Sequence, residues 1–568
     1  MTSQTPADPP GPDGAVDPAS SEPGILRTSS VMALGTVLSR ITGVLRTTAL
    51  AAALGSLGVL ADSYNTANTL PNIIYIMLVG GALNAVFIPQ LVGHMKDDPD
   101  GGTAYADRLL TLAATALLLI TVAAVVAAPW LARLYAGSSY SSRELEVLTA
   151  FAYLCLPQIL FYGLYALYSQ VLNARGHFAA PMFAPILNNA VVIAGCVAFL
   201  AVSSQPSIAT ITGGQIALLG TATTLGVVLQ AVALTPVMAR SGYRFRPRLD
   251  LKGQGLGTAV GLAKWTIFFV LVNQVAFWVI TKLANEAGAL AEQSGTKGAG
   301  STAYANAQLM FVLPHSIVTV SVITALMPRM SRAAHGGDLV AVRKDLAQGM
   351  RLVASLMVPA GVLFILLGPR IAQLLLGYGN TSDAGARLVG EVLQAFSVGI
   401  VAYSLYYVLL RGFYALEDTR TPALVNIVTQ AVNIGAGYAL YRALPPERAV
   451  AGLALGYALS SITATALLWL ILRPRLGGLD TYLTVQALVR LSLAGAAAAL
   501  VGLAVITGLA RVTGDGKLSA LLVVAVVSFT VGGVFVMAAR RLRVSEMTAA
   551  VALVSSRLRL PGRARRAQ

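Results

Sequence analysis

The sequence predicts an all-α polytopic membrane protein of about fourteen transmembrane helices, arranged as two parallel six-helix lobes followed by two C-terminal helices. Three observations predict it: the composition, a regular succession of long apolar segments, and an internal repeat whose offset holds six of those segments. The chain has 568 residues, of which 56% are hydrophobic and only 11% charged, whereas a soluble domain carries about 25% charged residues. The formal net charge is +16. Its basic residues cluster in loops between apolar spans rather than in a nucleic-acid-binding module, so membrane topology accounts for them and no nucleic-acid partner is expected. Cys155 and Cys196 both lie in apolar segments and the four histidines are scattered, which argues against a disulfide framework or a metal site.

Residues 1–28 form an N-terminal tail. Its first part, 1–25, is rich in Pro, Gly, Ser and Asp and is expected to be disordered. It lacks the basic start and apolar core of a signal peptide. Spans of roughly 20 apolar residues, enough to cross a bilayer, follow near 31–53, 68–93, 107–132, 147–172, 181–203 and 210–238. Together they make an N-lobe over 29–240. Further spans near 256–284, 302–328, 348–368, 388–412, 421–441 and 449–472 make a C-lobe over 241–475. The last two spans, near 484–510 and 518–540, occupy 476–543, and 544–568 is a basic tail.

Loop charge sets the expected orientation. The loop 238–256 carries Arg240, Arg244, Arg246, Arg248 and Lys252, and the loop 329–347 carries Arg329, Arg332, Arg343 and Lys344, while 54–67 and 204–209 hold no Lys or Arg. With an even number of spans, both termini are expected in the cytoplasm, in the plasma membrane of a bacterium. The repeat aligns "LNARGHFAAPMFAPILNNAVVI" from Leu172 with "FYALEDTRTPALVNIVTQAVNI" from Phe413, placing Pro181 against Pro422; "AVFIPQL" with Pro89 aligns with "TALMPRM" with Pro328 at nearly the same offset. That offset of about 240 residues holds six spans, so the halves enter the membrane in the same sense, and such lobes hold substrate between them near the midplane.

Polar residues at membrane depth then mark a candidate site. Arg40 and Arg46 lie in the first span, where an arginine costs at least ~2.5 kcal/mol. They stand about 120° apart on a helix and about 9 Å apart along it, so both can border one cavity. A guanidinium fork matches phosphate oxygens bidentately, which points to an anion site; for Arg40, snorkelling to the cytoplasmic interface is the alternative. Asp62 near the start of the second span reads either as a helix cap or as a partner for an arginine. Asn72 and Asn84 in the second span, Lys264, Asn273, Gln274 and Lys282 in the seventh, and Asn306, Gln308 and His315 in the eighth complete the polar set. Pro71 and Pro89 are expected to bend or end the second span, and Pro314 to interrupt the eighth. Spans one, two, seven and eight are therefore expected to line one hydrated cavity. Between Glu146 and Asp250 there is no Asp or Glu, so the cavity is cationic on balance and suits an anionic substrate. The paired acids or histidines of a membrane enzyme are missing, and no cofactor is expected.

The stretch "LSRITGVLRTTALAAALG" at 38–55, followed by "ADSYNTANTLPNIIYIMLVGGALNAVFIPQL" at 61–91, resembles the start of the MurJ (MviN) lipid II flippases. "LMPRMSR", "YALEDTRTPALVNI" and the fourteen-span plan resemble the same family, from about residue 29 to 545. The resemblance implies the fold of the multidrug/oligosaccharidyl-lipid/polysaccharide exporter superfamily. It implies transport of a lipid-linked peptidoglycan precursor from the cytoplasmic to the outer leaflet, with no catalytic residues. By it, Ser39, Arg40, Arg46 and Asp62 fall on motif positions tied to substrate handling. The match has departures: Tyr75 and Ile76 stand where many relatives have two arginines, Gly80 where many have Glu, Thr47 where an acid is common, and Gln308 where many have Arg. Lys264 or Lys282 is the candidate replacement for the missing charge.

The expected partners are a lipid-linked glycan precursor, membrane lipids and cell-wall synthesis proteins, with coupling to the membrane potential or an ion gradient. The competing readings are a flippase for another lipid-linked polysaccharide precursor, a cation-coupled multidrug exporter, which the acid-free stretch disfavours, and a membrane scaffold docking partners through its basic tail.

Overall fold

The computed structural model describes residues 22–77, 100, 102–203, 205–248, 256–295, 298–544 and 546, without the side chains of 22–33 and 256–263. In the N-terminal half the helices are α1 (Glu22–Leu54), α2 (Val59–Tyr75), α3 (Thr103–Val126), α4 (Ala128–Tyr135), α5 (Ser142–Cys155), α6 (Gln158–Ala174), α7 (Ala179–Val202), α8 (Gly213–Val232) and α9 (Thr235–Arg240). The second half has α10 (Leu256–Gln293), α11 (Ser301–His335), α12 (Leu339–Leu376), α13 (Asp383–Ser397), α14 (Ile400–Ala415), α15 (Arg420–Ala443) and α16 (Ala449–Arg475), followed by α17 (Thr481–Leu509) and α18 (Lys517–Arg541).

Among the described residues, twelve helical spans are long and apolar enough to cross a membrane, thirteen if the bent pair α13–α14 counts as one. The second expected span is described only to residue 77, so Asn84 and Pro89 lie outside the described residues. The tenth expected span is two helices meeting at 49°, and the fourth is α5 and α6, parted at Leu156–Pro157. Pro157 supplies no N–H donor, which breaks the ladder there. Neither Pro71 nor Pro314 ends its helix. α2 continues through Pro71, and α11 runs unbroken through Pro314 and Pro328. A proline removes a single intrahelical bond, and a helix held by its neighbours keeps its course across that gap.

The helix starts carry their own signals. Ser141 and Glu144 form a reciprocal capping box at α5, and Thr212 and Gln215 do the same at α8; each satisfies two backbone donors that the helix leaves free. The pairing of helices repeats between the halves: α1 packs on α7 and α7 on α8, as α10 packs on α15 and α15 on α16.

Each half has its own apolar core. One gathers Leu110, Phe151, Leu167 and Phe199, the other Phe311, Phe396, Leu409 and Phe413. Each core also takes in a little of the other half, Ala289 with Phe277 and Trp278 in the first and Ala51 with Leu57 in the second. α17 and α18 pack on α12 through a third cluster of Ala354, Leu367, Leu491, Val527 and Phe535. The segment after α9 belongs to the N-lobe. Tyr243 is buried, its hydroxyl donates to Asp107 Oδ1 at 2.7 Å, and the Arg246 N–H donates to the same oxygen at 3.1 Å. The Arg175 guanidinium lies 5.1 Å from the centre of the Tyr243 ring.

Candidate functional site

Ser39, Arg40 and Arg46 on α1 line one cavity of about 580 Å³ with Asn65 and Asn68 of α2, Asn189 of α7, and Thr302 and Asn306 of α11. No Asp or Glu lines it among the described residues. Arg40 is exposed and Arg46 half-buried. Neither guanidinium makes a hydrogen bond or ion pair with a described residue, so their donors face open space. Asn189 fixes the helix that carries them: its Nδ2 donates to Thr42 Oγ1 at 3.0 Å and to the Ser39 carbonyl at 3.4 Å. Asn68 Oδ1 is buried without a partner. The wall thus offers positive charge and amide groups, the set that binds phosphate oxygens.

Leu54 and Gly55 line this cavity and also a further one of about 710 Å³, which Asn380, Thr381 and Glu292 border. There the lobes are joined by a seam of hydrogen bonds. Thr381 Oγ1 donates to the Ala51 carbonyl at 2.7 Å, Asn380 N to Ala52 O at 2.8 Å, and Asn380 Nδ2 to Ala53 O at 2.8 Å. The Val59 N–H donates to Glu292 Oε2 at 2.9 Å. Asn285 Nδ2 donates to Thr66 Oγ1 at 3.0 Å and to the Tyr135 carbonyl at 2.9 Å. Trp278 Nε1 donates to Leu134 O at 2.9 Å.

Asp62 belongs to this seam and does not line the cavity. It is fully buried. Its Oδ1 accepts from the Thr302 N–H at 2.7 Å and from Ser301 Oγ at 3.4 Å, in the first turn of α11 across the lobe boundary. The α11 cap position is Gly300, which has no side chain to cap with; the carboxylate of the other lobe does so instead, where a helix N-terminus favours negative charge. The approach is so close that a Cβ on Gly300 would stand 1.7 Å from Asp62 Oδ2. Asp62 is thus a first-turn acid of α2, as expected, but it is not that helix's N-cap, which is Gly58, and its partners lie on α11 rather than on an arginine.

Two smaller cavities adjoin the first. One of about 170 Å³ shares Asn65 and Ala305 with it and also touches Tyr304 and Gln308. The other, about 280 Å³, shares Tyr304 and Gln308 with the second and reaches Gln274 inside the C-lobe.

Ser39, Arg40, Arg46 and Asn306 are thus brought together, while Gln274 and Gln308 line the neutral C-lobe extension. Asn72 and Lys264 are exposed and line none of these cavities, and neither does Lys282. Their places reflect helix rotation, which apolar spans do not reveal in sequence. His315 is buried and held in place, its Nδ1 3.0 Å from Ser404 Oγ. Sequence reasoning passed over Asn65, Asn68, Asn189 and Thr302. The i, i+3 spacing of Asn65 and Asn68, which puts two amides on one helix face, was the available signal.

A family model described as "Lipid II flippase MurJ" matches residues 50–527. A lipid II flippase MurJ of Burkholderia cenocepacia is 26% identical over 447 residues, covering 78% of this chain and 82% of that protein. A probable lipid II flippase MurJ of Rhizobium meliloti is 28% identical over 441 residues, covering 76% and 79%. Among solved structures, a lipid II flippase MurJ in an inward closed conformation superposes with a TM-score of 0.68 at 17% identity, covering 89% of this chain and 98% of that one. An inward-facing multidrug resistance MATE transporter of the MOP superfamily superposes with a TM-score of 0.60 at 12% identity, covering 78% and 96%. At these identities the structural likeness speaks for the fold.

Proposed function

The chain belongs to the MurJ lipid II flippase family, and from that premise we propose that it carries lipid II from the cytoplasmic to the outer leaflet of the bacterial plasma membrane by alternating access. The observation that carries the reading is the cavity in which Ser39, Arg40 and Arg46 converge, with no Asp or Glu among its described lining residues and a hydrogen-bonded seam between the lobes at one end. Loop charge puts the seam end on the outer face, since the segments 54–67 and 204–209 carry no Lys or Arg.

In this reading the diphosphate enters from the cytoplasmic side and is gripped by the two guanidinium groups. The sugar-peptide headgroup fills the hydrated space between the lobes. The polyprenyl tail stays in lipid, alongside α17 and α18, because apolar chain needs no polar route. Transport then requires the outer seam at Asp62, Asn285, Asn380 and Thr381 to part while the lobes close behind the substrate. Each lobe centres on its own apolar cluster, and the few residues shared between them, Ala51 and Ala289, lie beside the seam that parts in such rocking. A membrane potential negative inside favours outward movement of the phosphates by ~2.3 kcal/mol per charge per 100 mV. No cofactor has a part in this cycle; the potential or an ion gradient drives it. A drug-exporting role is disfavoured by a wall that would repel cations.

The test is depletion of the protein in its host, with lipid-linked wall precursor assayed for access from the outer face, and complementation by Arg46→Ala. Precursor that accumulates but stays inaccessible, with no rescue by Arg46→Ala, is the expected result. Unchanged outer access on depletion, or full rescue by Arg46→Ala, would sink the reading.

A further inference from the structure

The two walls of the central space differ in chemistry. The N-lobe wall is cationic. The C-lobe extension of about 280 Å³ has no charged side chain among its described lining residues, which are mostly amides, hydroxyls and aromatic rings. We infer that this C-lobe pocket is a neutral sugar subsite, which takes the N-acetylated hexosamine attached to the diphosphate. The inference rests on the lipid-diphosphate reading of the arginine cavity and adds to it the part of the headgroup that the C-lobe recognises.

The pocket's amides are ordered among themselves. Gln430 Nε2 donates to Asn273 Oδ1 at 2.8 Å, Asn433 Nδ2 to Gln430 Oε1 at 3.1 Å, and Asn426 Nδ2 to the Phe269 carbonyl at 3.3 Å. This network holds its members in fixed orientations. It leaves hydrogen-bonding capacity over: Asn433, 4% exposed, has a buried Oδ1 with no partner. The side-chain amides of Gln274 and Gln308 line the pocket and make no hydrogen bond to a described residue. A buried polar atom without a partner is costly and calls for an occupant. Each free amide offers a donor and an acceptor side by side, which matches the acetamido group and the hydroxyls of a pyranose. Tyr304, Tyr406, Phe269 and Phe277 give the same pocket aromatic surface, against which the apolar face of a sugar ring packs.

Other occupants fit less well. A phosphate would find no cation in the pocket. The peptide stem of the precursor carries carboxylates, whose burial among neutral groups is penalised. A metal ion would find no carboxylate, thiol or imidazole among the described lining residues. Continuity favours the sugar: Gln308 and Tyr304 join this pocket to the intermediate cavity, and Asn65 and Ala305 join that cavity to the arginines. A ring bonded to a diphosphate between Arg40 and Arg46 therefore has a polar path toward Gln308.

The experiment is equilibrium binding of two lipids to the full chain in lipid nanodiscs: undecaprenyl diphosphate, and undecaprenyl diphosphate carrying one N-acetylglucosamine. The wild-type chain is expected to prefer the sugar-bearing lipid. Gln274→Leu, and separately Gln308→Leu, should cut that preference about tenfold, as for the loss of one or two hydrogen bonds, with the affinity for the sugar-free lipid unchanged. Arg46→Ala should weaken both lipids together and keep their ratio. A wild type without preference, variants that keep the full preference, or variants that lose both lipids equally would each overturn the sugar subsite. If Arg46→Ala binds both lipids like wild type, the phosphate grip fails while the ratio still reports on the pocket.

Discussion

Replacing Asp62 with Asn changes one atom and one charge at the outer seam. Asp62 Oδ1 receives the Thr302 N–H at 2.7 Å, and its Oδ2 has no partner. The asparagine carbonyl can keep the bond to Thr302, but as a neutral bond of about 0.5–1.5 kcal/mol in place of a charged one of about 1.5–3 kcal/mol. The favourable placement of a negative charge at the start of the 35-residue helix α11, about 0.3–1 kcal/mol, is lost as well. The new amide group at the Oδ2 position lies against Gly288 and Gly300. The two terms sum to about 1.3–2.5 kcal/mol against the closed seam, about a tenfold shift toward the open state. The assay is labelling of Asn65→Cys by a membrane-impermeant maleimide applied outside intact cells. Asn65 lines the cavity behind the seam, and the native Cys155 and Cys196 are fully buried, so background is low. Labelling should quicken about tenfold in the Asp62→Asn background. An unchanged rate would show that the carboxylate does not hold the seam, and the gating argument would fall with it.

Gly300→Ala should loosen the same seam more severely, because the new Cβ would sit 1.7 Å from Asp62 Oδ2; adding Asp62→Ala should relieve the clash, read as partial recovery of the thermal midpoint. Arg46→Lys keeps charge but loses the bidentate fork, so flipping in a reconstituted assay should fall at least tenfold while membrane insertion is unchanged; wild-type flipping by this variant would argue against a phosphate grip. Tyr243→Phe removes the hydroxyl that donates to Asp107 at 2.7 Å, and should cost about 1–2 kcal/mol of stability and make the segment after α9 easier to cleave by protease. Identical cleavage of variant and wild type would show that this bond does not anchor the segment.

Membrane spans were legible in sequence because their signal is local. A run of apolar residues long enough to cross the bilayer has to be helical there, since lipid offers no partner for backbone groups. The spans near 181–203 and 421–441 accordingly fall within two residues of α7 and α15 at each end. The convergence of Ser39, Arg40 and Arg46 was equally readable, because an arginine in such a run has almost nowhere to go but a polar cavity. Bends were less so. Pro314 reads as a break but sits inside a continuous α11, whereas the 49° bend between α13 and α14 falls at Val398–Gly399, with no proline to announce it.

What the sequence by itself determined is therefore the all-helical membrane architecture and the place of Arg40 and Arg46 in its first span. Tertiary structure decided what each remaining polar residue faces. Asn72 and Asn306 look alike in sequence, two asparagines in spans, yet one is exposed outside the cavities and the other lines the arginine cavity. The reason is rotational: a span apolar on nearly every side has no marked face, so its angle about its own axis is set by its neighbours. Asp62 shows the same limit. Its place in the first turn of α2 suits a cap, but only the packing of the lobes shows that the helix it caps is α11, 239 positions further along the chain at Ser301.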